Sequence, residues 1–305
     1  EKGDCDAQYI IGFYYNRDSA IDSPDDEKAF YWLRLAAEQG HCEAQYSLGQ
    51  KYTEDKSRHK DNGQAIFWLK KAALQGHTFA SNALGWTLDR GEDPNYKEAV
   101  AWYQIAAESG MSYAQNNLGW MYRNGNGVAQ DYTLAFFWYK QAALQGHSDA
   151  QNNLADLYED GKGVAQNETL AAFWYLKSAQ QGNRHAQFQI AWDYNAGEGV
   201  DQDYKQAMYW YLKAAAQGSV GAYVNIGYMY KHGQGVEKDY QAAFEWFTKA
   251  AECNDATAWY NLAIMYHYGE GRPVDLRQAL DLYRKVQASG TRDVSQEIRE
   301  IEDLL

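Results

Sequence analysis

Cysteine is scarce in this 305-residue chain, and long apolar runs are missing. Cys5, Cys42 and Cys253 are an odd and sparse set, which favours a reducing compartment over a disulfide-stapled secreted domain. No apolar stretch approaches the roughly 20 residues of a membrane span. Residues 1–4 show no signal peptide and already belong to the first predicted helix, so a leader removed before them would leave no trace. The sequence favours the cytoplasm and leaves the periplasm and secretion open.

Positive charge is also in short supply. The chain has 28 Lys and Arg against 41 Asp and Glu, which gives a net charge of −13. Binding to nucleic acid needs clustered Lys and Arg, and no such cluster occurs, so we exclude a nucleic acid partner. The negative charge favours solubility and could indicate a basic partner. The alternative, which we prefer, is that it simply forms a solvated outer surface.

What the chain does contain is one pattern that occurs eight times. An alanine marks the start of each copy, and successive copies are 34 to 37 residues apart. The start alanines are Ala7, Ala44, Ala80, Ala114, Ala150, Ala186, Ala222 and Ala258. A fixed period of this size indicates a solenoid of stacked helical hairpins.

The first half of each copy has the pattern of a helix with one apolar stripe. The fourth residue after the start alanine is Ile or Leu, the fifth is Gly or Ala, and the eighth is usually Tyr, as in Leu48, Gly49 and Tyr52. A glycine inside a helix costs about 1 kcal/mol relative to alanine. The small residue therefore predicts a close helix–helix contact that a larger side chain would block.

The second half of each copy ends at a glycine, or at Asn254 in the seventh copy. Both residue types accept a left-handed conformation, so this position predicts the end of a helix. An alanine eleven residues earlier and a large residue, usually tryptophan, eight residues earlier predict interdigitated packing between neighbouring hairpins. Ser23 before Pro24 and Asp93 before Pro94 predict the N-caps of two second helices.

Five copies carry a Gly-x-Gly loop between their two halves, as in Gly125-Asn-Gly127-Val128. This loop and four other motifs of the repeat make the chain similar to the Sel-one-like repeat (SLR) family. The four motifs are Ala-x3-Leu-Gly-x2-Tyr, Asp-Tyr, Ala-x2-Trp-Tyr and Ala-Ala-x2-Gly. The resemblance covers roughly residues 4–290. It implies an all-α fold, a right-handed superhelical α/α solenoid of eight SLR helical hairpins plus a short C-terminal capping helix.

The repeat leaves no gap for a domain boundary. We therefore predict a single solenoid over residues 1–290, with repeats that start near residues 4, 41, 77, 111, 147, 183, 219 and 255. Residues 291–305 are predicted to form the C-terminal capping helix, because four apolar residues share one face with acids between them. These are Val294, Ile298, Ile301 and Leu305. The same helix could instead dock on a partner.

Motifs for catalysis and metal binding are missing or have a structural explanation. None of the Gly-x-Gly loops continues as a phosphate-binding loop, so we interpret them as tight interhelical turns. His41, His77 and His147 each follow a helix-ending glycine and are copies of one loop position, and His267-x2-Glu270 lacks the second histidine of a helical zinc site. We predict a protein that is not an enzyme, with no catalytic residues, no metal and no cofactor. A catalytic triad assembled across copies stays open.

The likeness to tetratricopeptide repeats implies that the first helices line a concave face. We number positions from each start alanine, and positions −1, 2, 6, 9 and 10 would then point inward. They carry aromatic residues, asparagines and charges such as Arg90, which is typical of peptide grooves. The candidate partner-binding residues are Trp86, Asn116, Trp120, Arg123, Asn152, Asp156, Phe188, Trp192 and Tyr228. The alternative is that these aromatic side chains fill the interior of a tight superhelix and touch only each other.

Three functional hypotheses follow. The first is a non-enzymatic protein–protein interaction scaffold that binds a peptide or a partner's helix in the concave aromatic groove. The second comes from cell-wall associations of some SLR relatives, and is a cell-wall or small-ligand binding protein or enzyme with perturbed carboxylates around Asp156, Glu159 and Asp160. The third is a self-assembling structural protein that associates end to end through helix faces near Tyr9 and Tyr15.

Overall fold

The computed structural model describes residues 3–16, 26–54, 59–91 and 93–305, and these residues form seventeen α-helices and no β-strand. The helices are α1 Cys5–Asn16, α2 Asp26–Glu38, α3 Cys42–Thr53, α4 Asn62–Leu74, α5 Thr78–Asp89, α6 Tyr96–Glu108, α7 Ser112–Asn124, α8 Tyr132–Leu144, α9 Ser148–Asp160, α10 Glu168–Gln180, α11 Arg184–Ala196, α12 Tyr204–Ala216, α13 Val220–His232, α14 Tyr240–Glu252, α15 Ala256–Tyr268, α16 Leu276–Ser289 and α17 Ser295–Glu302. Odd-numbered helices up to α15 are the first helices of the repeats, and each even-numbered helix is a second helix. This order confirms the predicted eight hairpins followed by a C-terminal helix.

The chain forms two compact units. The first comprises residues 1–150 and 162–165, and the second comprises residues 151–161 and 166–305. Within the first unit, a second helix packs on its own first helix and on the first helix of the next repeat, as α4 does on α3 and α5. The second unit uses the same packing, as α12 does on α11 and α13, and its last helix, α17, packs on α16.

The small residue at position 5 makes the close contact that the sequence predicts. A Cβ added to Gly85 would lie 2.8 Å from the ring of Tyr103, and one added to Gly49 would lie 2.7 Å from the side chain of Leu69. Real Cβ atoms do not come this close to other heavy atoms. The partner side chain is almost fully buried in all eight repeats, and the sequence analysis missed it. These partners are Leu33, Leu69, Tyr103, Tyr139, Tyr175, Tyr211, Phe247 and Tyr283.

Helix caps explain most of the recurring polar and glycine positions. Asn254, with φ of 61°, is the one non-glycine residue of the described ranges that has a positive φ, and it stands where other repeats have glycine. This confirms the predicted helix ends. Second helices begin after an Asp or Asn, as at Asp131, whose side chain accepts hydrogen bonds from the backbone N–H groups of Thr133 and Leu134. His41 and His77 cap first helices through Nδ1, which confirms their structural role.

The start of α6 differs from the prediction. Asn95, not Asp93, is the N-cap, because the side-chain oxygen of Asn95 accepts a hydrogen bond from the Glu98 N–H and its amide donates to the Glu98 carboxylate. This reciprocal pair of hydrogen bonds caps the first turn of α6. The helix therefore begins two residues later than predicted. The cap predicted at Ser23 lies outside the described residues.

The Gly-x-Gly loops are structural, as predicted, and each glycine has its own reason. Gly125 ends α7 in the left-handed conformation, with φ of 72°. Gly127 also has φ of 72°, and a Cβ added there would lie 2.5 Å from the carbonyl oxygen of Tyr96. The second glycine therefore allows the loop to touch the backbone at the start of the second helix of the preceding repeat.

The C-terminal helix confirms most of its predicted apolar face. Val294 and Ile301 are fully buried against Tyr283 and Val286, and Ile298 is partly buried in the same cluster. Leu305 was wrongly placed on this face. It is 62% exposed, because the helix ends at Glu302. Among the described residues, no helix combines the length and the apolar character that crossing a membrane requires.

A candidate binding cleft on the first helices

Position 6 carries exposed aromatic side chains on several of the first helices. Trp86 is 43% exposed, and Trp120 and Trp192 are 42% exposed. Position 6 lies off the buried stripe formed by positions 0, 4 and 8, so the helix directs its side chain away from the core. Tyr228 is exposed at the same position of the seventh repeat.

In the first unit, α5 and α7 form a cleft of about 350 Å³. It is lined by Trp86, Asp89, Arg90, Asn116, Asn117 and Trp120. The structure thus brings together three of the predicted binding residues, Trp86, Asn116 and Trp120. Arg123, which the sequence placed in the same groove, is not among the residues that line this cleft.

Asp89 is the buried charge of this cleft. Its Oδ2 accepts a hydrogen bond of 2.7 Å from the hydroxyl of Tyr103, whereas its buried Oδ1 has no hydrogen-bond partner. The guanidinium Nε of Arg90 lies 3.8 Å from that Oδ1, too far for a hydrogen bond, and the guanidinium lies over the Trp86 ring at 5.1 Å. Burial raises the pKa of the Asp89 carboxyl, while Tyr103 and Arg90 counteract this.

The asparagines at position 2, which include Asn82, Asn116 and Asn152, are partly hydrogen-bonded within the protein. The side-chain amide of Asn117 donates a hydrogen bond of 3.2 Å to the side-chain oxygen of Asn82, one repeat earlier. The Asn82 side-chain oxygen therefore has less capacity to accept a hydrogen bond from a peptide backbone. In the second unit, Asn152 is half-buried, and its buried Oδ1 has no hydrogen-bond partner.

Acidic residues that the sequence placed on the groove also hold buried tyrosine hydroxyls. The hydroxyl of Tyr175 donates to Asp156 Oδ1 at 2.9 Å and is 2.7 Å from Glu159 Oε2. Burial among these carboxylates raises the pKa of Tyr175. Asp156 and Glu159 thus stabilise the hairpin in the way that Asp89 does with Tyr103. A tyrosine four residues after the alanine of the second helix was the signal that could have revealed this role.

Phe188 lies apart from the exposed aromatic residues of its unit. Its ring packs 5.7 Å from that of Tyr211, and a Cβ added to Gly221 would lie 2.9 Å from it. It lines a separate depression of about 320 Å³ with Arg184 and Val220. Phe188 is therefore partly a packing residue, which is one of the alternatives that the sequence left open.

Among the described residues, the carboxyl whose pKa is most strongly raised is that of Asp193 in α11, a residue that the sequence motifs did not single out. It is 5% exposed, and its Oδ2 has no hydrogen-bond partner. Burial, with Glu159, Glu198 and Glu168 as further causes, raises the pKa of Asp193 to about 8. The hydroxyl of Tyr211, whose pKa is raised by burial and by Asp193, is also buried without a partner. The cell-wall hypothesis expected perturbed carboxylates around Asp156, Glu159 and Asp160. The carboxyl with the strongly raised pKa is instead that of Asp193, on which Glu159 acts as one cause.

One group of residues in the described ranges has spacing that could hold a metal ion, namely Asp4, Cys5 and Asp6. Asp4 Oδ1 accepts hydrogen bonds from the backbone N–H groups of Asp6 and Ala7 at 2.9 and 3.3 Å. Capping of α1 therefore explains why these side chains lie together.

This fold defines an α-helical repeat protein with aromatic side chains exposed on its first helices. The Sel1 repeat family model matches residues 5–41, 42–77, 78–111, 112–147, 148–183, 184–219, 220–255 and 256–285. The chain therefore belongs to the Sel1 repeat family. Proteins of this family are generally interaction scaffolds, and the fold is generally non-catalytic.

Several relatives are similar to this chain. A stretch of 131 residues is 96% identical to the Sel1-repeat-containing protein YbeQ of Escherichia coli strain K12, and covers 43% of this chain and 40% of that protein. A solved protective antigen of uropathogenic Escherichia coli strains with an SLR fold has a TM-score of 0.88 and 36% identity, over 94% of this chain and 62% of that one. A Sel1 repeat protein from Oxalobacter formigenes has a TM-score of 0.74 and 29% identity, over 98% of this chain and 88% of that one.

Proposed function

We propose that this chain is a non-enzymatic scaffold whose first helices bind an extended segment of a partner protein. The observation that carries the proposal is the pair of half-exposed indole rings, Trp86 and Trp120, on either side of one cleft. Aromatic anchors that become buried on a partner carry much of the energy of protein interfaces. In the second unit, Trp192 and Tyr228 offer anchors at the same position of their repeats.

Polar groups beside the indole rings support an extended partner. Asn116 and Asn117 line the same cleft, and asparagine side chains can both donate to and accept from a peptide backbone. Anchors at the same position of two successive repeats, such as Trp86 and Trp120, match a segment that crosses both first helices, because an extended segment places side chains at regular intervals.

Site-directed photocrosslinking in the native cell tests this proposal. A photoreactive phenylalanine analogue replaces Trp86 or Trp120, and in a control protein it replaces Phe137, an equally exposed aromatic residue on the second helix α8. We expect one specific crosslinked protein from positions 86 and 120 and none from position 137. Equal crosslinking from all three positions, or from none, would contradict the scaffold proposal.

A pair of variants checks the energetic role of the anchors. The double variant Trp86→Ala, Trp120→Ala should lose the captured partner, whereas Phe137→Ala should retain it. Each truncation of an aromatic anchor should weaken binding by about 2 kcal/mol. Far-UV circular dichroism of both variants shows whether the hairpins stay folded, so that loss of binding is separated from loss of structure.

We propose self-association as a second function, because α1 exposes a face that the other repeats bury. Ile11 is 37% exposed, whereas the residue at its position is at most 5% exposed in the other seven repeats. Ile10 and Tyr14 are exposed on the same helix. If a second copy covers this face, light scattering should show a mass that rises with concentration and that Ile11→Glu reduces to that of a monomer. A mass independent of concentration would refute self-association.

A further inference from the structure

The cleft between α5 and α7 contains an acceptor to which no described residue donates a hydrogen bond. Among the described residues, Asp89 Oδ1 is buried and accepts no hydrogen bond, and the Nε of Arg90 lies 3.8 Å from it, beyond hydrogen-bond distance. An unpaired acceptor of this kind favours a ligand that donates a charged hydrogen bond.

Within the chain, the indole ring of Trp86 at position 6 already binds a cation. Arg90 lies four residues after Trp86 on the same helix, and its guanidinium is 5.1 Å from the Trp86 ring centre. In the next repeat, Asn124 follows Trp120 at the same spacing, and its amide donates to the Trp120 backbone oxygen at 2.8 Å. Within the ranges that the structure describes, no cation or second ring lies over the Trp120 indole. The face of Trp120 is therefore open where that of Trp86 is occupied.

We infer that this cleft takes the cationic side chain of an arginine or lysine in the partner segment, with its cation bound by the Trp120 indole and the Asp89 carboxylate. This inference rests on the proposed function and gives the chemistry of the partner. Cation–π contact and a charged hydrogen bond both favour a cation at this place. The net charge of −13 also favours the approach of a basic segment.

Arg90 is a cation at the rim of the same cleft, and its side chain is largely exposed. An incoming cation does not need the place of Arg90, because it binds at the second indole. Repulsion from Arg90 limits the affinity, so truncation of Arg90 should strengthen binding of a basic peptide.

The test uses a short Gly/Ser peptide with a single arginine, and a matched peptide in which citrulline, a neutral isostere, replaces that arginine. Binding is followed through the indole N–H resonances of Trp86 and Trp120 in the full chain by NMR. We expect the arginine peptide to shift the Trp120 resonance with a Kd on the order of 1 mM, as for one cation site. The citrulline peptide should leave it in place.

Three variants locate the site. Asp89→Asn retains an acceptor for the Tyr103 hydroxyl, and should weaken binding about tenfold because the charge is lost. Asn124→Arg supplies the chain's own cation to Trp120, in the manner of Arg90 and Trp86, and should also weaken binding about tenfold. The control is Gln104→Arg, which adds the same charge to an exposed position of α6 and should change the Kd by less than about twofold.

The outcomes are separable. Equal shifts with both peptides, no shift with either, or equal effects of Asn124→Arg and Gln104→Arg would overturn the cation site. If crosslinking from positions 86 and 120 still captures a partner, the scaffold proposal survives, and only its basic chemistry is wrong. If the arginine peptide binds but crosslinking captures no partner, the cation site survives and the scaffold proposal is wrong.

Discussion

Replacing Asp193 with methionine should stabilise the protein at neutral pH and have little effect near pH 4. Asp193 is buried at position 7, where Met121, Met229 and Met265 form part of the core in other repeats. Its carboxyl has a pKa of about 8 in the folded protein, against about 3.9 in an unfolded chain. Between these values the folded protein holds a proton that the unfolded chain releases, so stability falls as pH rises.

The magnitude follows from the pKa difference. Each pH unit between about 4 and 8 costs about 1.4 kcal/mol, which gives about 1.5 kcal/mol at pH 5 and about 4 kcal/mol at pH 7 as an upper bound. Above pH 8 both states have lost the proton, and the cost becomes constant. Methionine at this position carries no charge, so the variant should lose this pH dependence and fill the same core space.

Urea unfolding at several pH values between 5 and 9 measures the difference between Asp193→Met and the parent chain. The control is Lys51→Met, at position 7 of the second repeat, where the ammonium pairs with Asp26 at the start of the preceding second helix. Glu168 stands at the place equivalent to Asp26 and raises the pKa of Asp193. Lys51→Met should therefore destabilise the protein, because it leaves Asp26 unpaired. A stability gain for Asp193→Met that is the same at pH 5 and pH 8 would refute the reasoning.

Three further predictions concern packing. Gly127→Ala should cost more stability than Gly146→Ala, because both glycines have a positive φ but only Gly127 touches a neighbouring backbone, and thermal melting compares them directly. Gly119→Val should destabilise by about 3 kcal/mol in urea unfolding, since its Cβ would lie 2.8 Å from the Tyr139 ring; a loss below about 1 kcal/mol would show that the helices can separate. Tyr103→Phe should cost about 1 to 2 kcal/mol, because the Asp89 carboxylate loses the one hydrogen bond that a described residue donates to it, and an unchanged melting temperature would contradict that role.

The regular part of the fold could be predicted because most structural positions recur in all eight repeats. The glycine at the end of the second helix, the small residue at position 5 and the Gly-x-Gly loop recur, so chance similarity was excluded. The errors lie where a feature occurs once. Leu305 has no second copy to compare, and the helix ends before reaching it. The cap at Asn95 replaced the predicted Asp93 because a reciprocal bond to Glu98 decided the start of one helix.

The site was harder to predict because it depends on contacts between helices. Position 9 was assigned to the groove, yet Asp89 and Glu159 at that position bond the buried hydroxyls of Tyr103 and Tyr175. No pattern within one helix shows that a tyrosine of the next helix meets this position. Asp193 did leave a signal, since a charged residue stands in a column that is mostly apolar. That signal is visible only when position 7 is compared across the eight copies, because within one helix a single aspartate is ordinary.

Departures from the repeat differ in whether the chain compensates them. Lys51 pairs with Asp26, and Lys231 pairs with Glu270 at 2.7 Å, so these buried charges have acquired partners within the chain. Asp193 and Asp89 are less fully compensated, since among the described residues each retains a buried oxygen without a hydrogen bond, although the Tyr103 hydroxyl donates to the other oxygen of Asp89. A compensated departure needs no ligand, because its desolvation is offset inside the fold. A buried oxygen without a hydrogen bond remains costly until a proton or a cation arrives. Asp193 is only 5% exposed, whereas Asp89 lines an open cleft in which a partner's side chain can supply the cation.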